Sequence, residues 1–264
     1  MTTRPVRLGV QLRPQHSPYD RIRQAAGELD ALGVDVIFNW DHFFPLYGDP
    51  DGLHFESWTM LAAIAEQTTH AELAALVNCN SYRNPNLQAD MARTIDHISA
   101  KGGATGRFVF GTGSGWFERD YVEYGYQFGT VGSRLNDLAR DLPIIRSRWD
   151  ELNPAPTRRI PILIGGAGEK KTLRIVVQHA DIWHSFADVP TLHHKLGILA
   201  EHGEAVGRDV SEIEVSVELR DRTMQQADEL HEAGATLFTL GLDGPEFDMG
   251  VVRDWLSWRD RANG

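Results

Sequence analysis

The sequence predicts an α/β protein built as a parallel (β/α)8 TIM barrel, on three observations. Eight short runs rich in β-branched and aromatic residues alternate with longer segments whose apolar residues recur at helical spacing. No linker or shift in composition divides the 264 residues, a length that suits a single barrel domain over 1–264. Polar and glycine residues stand directly after the runs, at the ends where such barrels carry their chemistry.

Residues 6–12 (VRLGVQL) form the first strand. Ser17 then caps a helix with Pro18 at its first position; Ile22, Ala25, Ala26, Leu29 and Leu32 make its buried stripe, and Gly33 ends it. Strand two is 34–38, and the loop behind it, through Gly48, Pro50 and Gly52, exceeds an ordinary connection. Loops of that length inside compact domains are usually lids or binding loops. A helix from about Glu56 carries Trp58, Leu61, Ala62 and Ala65. Strand three is 72–78, and Asn84-Pro85 starts a helix bearing Leu87, Met91, Ile95 and Ile98. Strand four, 107–112, runs into Gly111-Thr112-Gly113-Ser114-Gly115. An insertion then spans Trp116 to about Pro156, with a helical segment 134–149 that Pro143 interrupts. Strand five is 160–164, followed by Gly165-Gly166-Ala167-Gly168 and a basic helix start, Lys170, Lys171 and Arg174. Strands six to eight are 180–186, 213–219 and 236–240, and their helices 190–206, 222–233 and 250–261.

The composition excludes several functions. A net charge of -11 and a pI near 5.4 argue against nucleic acid or an anionic membrane as partner, since both demand a basic footprint. One cysteine, Cys79, excludes an internal disulfide and indicates a reducing compartment. The N-terminal MTTRPVRLGV has no apolar signal core, and the longest unbroken apolar run, 60–65, is far short of a membrane span. The expectation is a cytoplasmic protein.

In a barrel the residues just past each strand converge: Gln11, Arg13, Asp41, His42, Asn78, Asn80, Gly113, Ser114, Gly165, Gly166, His184, Glu218 and Arg220. The stretch IFNWDHFFP, 37–45, stands out, because an apolar run stops abruptly at an acid and an imidazole. Taken alone, that pair also suits a helix cap. The glycine and amide character of the rim suits a planar, hydrogen-bonding ligand better than a metal, although Asp41, His42, His184 and Glu218 offer the residue types for one. Gly111 to Gly115 does not match the GxGxxG spacing of a dinucleotide fold. Three glycines in four residues before a helix make an anion site at the positive end of the helix dipole, with a tight turn and solvated basic face as the alternative. Cys79, His97 and His179 read as packing or capping residues, His193 and His194 as solvent-facing, and Arg83 as the organiser of its loop.

Four segments together resemble the luciferase-like monooxygenase superfamily, and more narrowly its branch dependent on the deazaflavin coenzyme F-420. They are VIFNWDHFFP, LVNCNSYRNPNLQADMARTIDHIS, GTGSGWFERDYVEYGYQFG with Arg134, and IPILIGGAGEKKTLRIVVQHADIW. The resemblance implies a luciferase-like barrel that binds 8-hydroxy-5-deazaflavin at its C-terminal face, moves hydride to or from C5, and acts on a small organic substrate, often as a homodimer. It further implies that Asp41 contacts the coenzyme ring and that His42 is the catalytic imidazole, a residue type suited to a general base near neutral pH. By the same resemblance, Leu76-Val77 matches a non-prolyl cis peptide behind the ring, and Asn78 offers an amide to its pyrimidine edge. Thr112 and Gly113 match the turn beneath, and Gly165, Gly166, Ala167, Gly168 and Glu169 the phosphate loop. Ser114 stands where sugar-phosphate dehydrogenases of this branch have a glutamate acid, so that role is unassigned and that substrate disfavoured. Residues 100–106 are also longer than the family's connection before strand four. The alternatives are an FMN-dependent monooxygenase and a non-catalytic flavin-binding protein, against which the retained Asp41 and His42 stand.

Overall fold

Nine strands follow one another round one wholly parallel sheet in a computed structural model that describes residues 4–219 and 223–264. They are β1 (Arg7–Leu12), β2 (Val36–Asn39), β3 (Glu72–Ala75), β4 (Asn78–Cys79), β5 (Phe110–Gly113), β6 (Ile162–Gly165), β7 (Ile182–Ser185), β8 (Glu214–Glu218) and β9 (Leu237–Leu242). The order β3-β2-β1-β9-β8-β7-β6-β5-β4 closes on itself, because β3 and β4 are two halves of the single expected third strand. The lower half pairs with β2 and meets the chain before β5, where the Val109 amide donates to the Leu73 carbonyl at 2.9 Å. The upper half pairs with β5. The ladder breaks between them at a cis peptide, Leu76-Val77, so the expected continuous 72–78 run is corrected to two pieces.

Side-chain alternation along the strands builds two apolar layers. Val36 and Phe38 point into the barrel with Ala74, Val109, Leu163, Ile182 and Leu237, whereas Ile37 between them joins the larger layer under the helices. The N-terminal end of the barrel is held by charge: Arg7 pairs with Glu72 (2.8 Å) and Glu214 (2.6 Å), and Arg158 with Glu72 (2.7 Å).

The helices are α1 (Tyr19–Leu32), α2 (Ser57–Gln67), α3 (Pro85–Ser99), α4 (Glu118–Tyr124), α5 (Val131–Glu151), α6 (Thr172–His179), α7 (Val189–Val206), α8 (Met224–Glu232) and α9 (Met249–Asn263). Asn84 caps α3 as expected, through the Asn86 amide. Ser17 does not cap α1; Pro18 is the cap residue, and its carbonyl accepts from Ile22. Leu87 is exposed, because α3 turns Ala89, Ala92 and Ile95 inward instead. Pro143 does not interrupt α5. The lost amide bond is outweighed over 21 residues by a Thr130–Ser133 capping box and by burial of Leu138, Leu142, Ile145 and Trp149. The expected helix start at Arg222 lies outside the described residues, as does Arg220. Among the described residues no helix is long and apolar enough to cross a membrane.

Candidate functional site

The C-terminal ends of the strands enclose a cavity of about 420 Å³. All of the convergent residues line it except Asn80, whose amide donates to Asp141 at 2.8 Å, and Arg220, which is not described. Its floor is the Leu76-Val77 bulge, where the Gln11 amide donates to the Leu76 carbonyl at 2.9 Å. Gly113 and Gly165 flank the bulge. A Cβ on Gly113 would come within 2.8 Å of Val77, and one on Gly165 within 3.0 Å, so glycine at both positions lets β5 and β6 close on it without displacing Val77. What results is a flat patch of backbone and small apolar groups, a cradle suited to one face of a planar ring. Thr112 is buried just below it, with its hydroxyl 3.5 Å from the Asn78 carbonyl. The Asn78 side chain is turned into the wall: its oxygen accepts from Trp58 (2.8 Å) and Arg83 (3.2 Å), and its nitrogen donates to Gln88 (2.7 Å). Asn78 therefore presents main chain to the cavity.

Beyond β6 the lining reaches Gly166 and stops, so Ala167, Gly168 and Glu169 lie further along the loop toward α6. The Gly166 amide donates to the His184 carbonyl at 3.1 Å, and the Leu173 amide to Gly168 at 3.0 Å. Hydrogen bonds from Lys195 and His194 hold the Glu169 carboxyl below its ordinary range. Lys171 donates to Asn136 at 2.9 Å, while Lys170 and Arg174 are exposed.

Asp41 and His42 leave β2 in different directions. The Asp41 carboxylate, expected to meet a coenzyme ring, is completely buried in a bidentate pair with Arg83 (2.7 and 3.0 Å) and also accepts the Cys79 amide at 3.0 Å. Such burial demands a cation, and Arg83 supplies it while also binding Glu56 at 2.6 Å. His42 turns its Nδ1 to Asp120 Oδ2, 2.7 Å away on α4. The edges of Trp116 and Phe117 stand against its ring, at centroid distances of 5.8 and 5.5 Å. Asp120 is fully buried and also accepts from the Tyr82 hydroxyl (2.8 Å) and the Phe43 amide (3.1 Å). Sequence reasoning missed Asp120, Tyr82 and the short helix that carries Asp120.

Around the mouth, Trp116 and Phe186 are 64% and 55% exposed. Arg13 binds Asp243 (2.8 Å) and Tyr47 (2.7 Å), and the Tyr47 hydroxyl donates to Asp243 at 2.5 Å, which pins the long loop after β2 to the end of β9, beyond the neighbouring β1. His184 sits 2.9 Å from the Ser216 hydroxyl, and burial lowers its pKa to about 3, so it is neutral. Burial pushes the Cys79 thiol up to about 11 beside Tyr121, in keeping with a packing role. Among the described residues no three His, Cys, Asp or Glu side chains are placed to hold a metal ion.

Comparison with known proteins agrees with this fold. The family model described as luciferase-like monooxygenase matches residues 3–240. Uncharacterized proteins of Mycobacterium tuberculosis and Mycobacterium bovis are 26% identical over 188 residues, which is 62% of this chain and 64% of theirs. An F-420-dependent secondary alcohol dehydrogenase, solved with an F-420–acetone adduct, superposes with a TM-score of 0.84 at 15% identity over 97% of this chain and 99% of that one. The F-420-dependent tetrahydromethanopterin reductase of Methanopyrus kandleri gives 0.74 at 15% identity over 95% and 97%. The oxygenating component of 3,6-diketocamphane monooxygenase of Pseudomonas putida, a type II Baeyer-Villiger enzyme solved with FMN, gives 0.62 at 16% identity over 81% and 67%.

Proposed function

The chain belongs to the luciferase-like monooxygenase family, and from that premise we propose that it is an oxidoreductase that moves a hydride between coenzyme F-420 and a small organic substrate. The observation that carries this reading is the placement of His42 on the wall of a cavity whose floor is the cis bulge between two glycines. A bound deazaflavin would supply the hydride acceptor or donor at its C5. The residues that would hold it are the bulge of Leu76 and Val77, the main chain of Asn78, the turn of Thr112 and Gly113, and the loop from Gly165 to Glu169. His42 takes the proton that a substrate hydroxyl gives up, or returns it to a carbonyl oxygen in the opposite direction. Asp41 supports the wall through Arg83. Trp116 and Phe117 beside the imidazole keep bulk water from it.

FMN is the second candidate, since the same flat floor accepts either ring and a structure of this fold carries FMN. Titration of the purified protein with F-420 and with FMN, followed by ligand fluorescence, separates the two. The proposal expects saturable F-420 binding tighter than that of FMN. A preference for FMN overturns the F-420 reading in favour of a flavin-binding one, and binding of neither ligand defeats both readings.

A further inference from the structure

We propose that Asp120 is the positioning residue of the His42 base, and that α4 delivers it. The inference rests on the reading of His42 as proton acceptor. Three groups converge on the buried carboxylate: His42 Nδ1 at 2.7 Å, the Tyr82 hydroxyl at 2.8 Å and the Phe43 amide at 3.1 Å. Burial, reinforced by Cys79 and Asp120, raises the Tyr82 phenol far above its ordinary value, so Tyr82 keeps its proton and donates it. An ionised carboxylate only accepts, so Nδ1 must carry the ring hydrogen. The neutral imidazole is thereby fixed with its lone pair on Nε2, the nitrogen away from Asp120, on a ring that lines the cavity. Trp116 and Phe117, edge-on to the ring, keep it in that plane.

A merely structural tie between α4 and the loop after β2 does not require this acid. Arg119, the preceding residue, already makes that tie: it binds Asp51 at 2.6 Å and the Pro50 carbonyl at 2.5 Å, and lies 4.0 Å over the Phe44 ring. A second tie through a completely buried carboxylate would carry a desolvation penalty without need. With Asp120 in place, the proton leaving a substrate hydroxyl bonds to Nε2, the Nδ1 proton stays where it is, and the positive charge then on the ring faces a carboxylate that offsets it.

The tautomer can be read without substrate or coenzyme. In long-range nitrogen–proton spectra of protein labelled at its histidine ring nitrogens, the His42 signal is the one missing from His42→Asn. It should show Nδ1 protonated and Nε2 bare, with Asp120→Asn losing that pattern and Asp120→Glu keeping it. A wild-type His42 protonated on Nε2 instead overturns the proposal even if neither Asp120 variant folds. For turnover, reduced F-420 is offered with cyclohexanone and acetophenone. Asp120→Asn should lower kcat about 10²- to 10⁴-fold, the range for loss of a general base, with F-420 affinity held within about threefold and with partial recovery in Asp120→Glu. Wild-type kcat in Asp120→Asn overturns the proposal. Failure of the protein to bind F-420 or FMN would defeat the proposed function and leave the tautomer result standing, whereas a coenzyme-binding protein with the wrong tautomer defeats this inference alone.

Discussion

Asp41 and His42 are adjacent in sequence yet answer to different partners, so their substitutions should separate. Replacing His42 by asparagine keeps a polar group of similar size and removes the base. Turnover should fall by about 10² to 10⁴ while F-420 affinity changes little, and normal turnover in that variant would remove His42 from the chemistry. Asp41→Asn acts on the fold. It leaves the buried Arg83 guanidinium without its bidentate acceptor, and loss of one partner of such a pair costs about 3 to 5 kcal/mol. Urea denaturation should show a loss near the lower figure, since the amide keeps one acceptor; unchanged stability would mean that Glu56 alone suffices for Arg83. The sequence made the Asp-His pair legible because an apolar run ends there. It could not make the partners legible: Arg83 is 42 positions from Asp41 and Asp120 is 78 from His42, and no local period links residues that only the closed barrel brings together.

Elements were legible in proportion to their length and their caps. α3 carries Asn84 at its start, and both α3 and α7 run for several turns, so both stood out, whereas the Asp188 cap of α7 emerged only in the structure. α4, at seven residues, is too short to show a helical period, and its acids and aromatics read as loop. The loop into α6 was legible through its glycines, and it gives a test of tail recognition. F-420 carries a phosphate and an oligoglutamate tail, so Lys170→Glu together with Lys171→Glu should weaken F-420 binding, more at low salt than at high. FMN, without the tail, should lose less. Two acids at a helix start complement the dipole, so a loss of affinity cannot be ascribed to a melted α6. Equal losses for both ligands would move the tail elsewhere.

At the scale of the molecule, the alternation of strand and helix was enough to predict a closed barrel with Asp41, Asn78, Gly113, Gly165 and His184 on one cavity, which the structure bears out. Burial of individual polar groups was not legible, since it depends on the layers above them, and it shapes how stability follows pH. Burial lowers the pKa of His184 to about 3 and that of His54 to about 4, against about 6.5 for an unfolded histidine. Above pH 6.5 both states carry these rings neutral, so neither contributes a pH dependence. As pH falls below 6.5, the unfolded chain binds protons that the folded chain refuses, and stability drops by up to roughly 1.4 kcal/mol per pH unit for each ring. The window from pH 6.5 to 5 holds this effect together with that of His179, whose pKa burial also lowers. Asp30 and Glu56, whose burial is outweighed by backbone hydrogen bonds that hold their carboxyls low, enter only below it. His184→Gln keeps a partner for Ser216 and cannot titrate. Urea melts at half-unit steps should therefore show the wild-type slope cut by about a third to a half in that variant, and an unchanged slope would mean that His184 takes up its proton in the folded state.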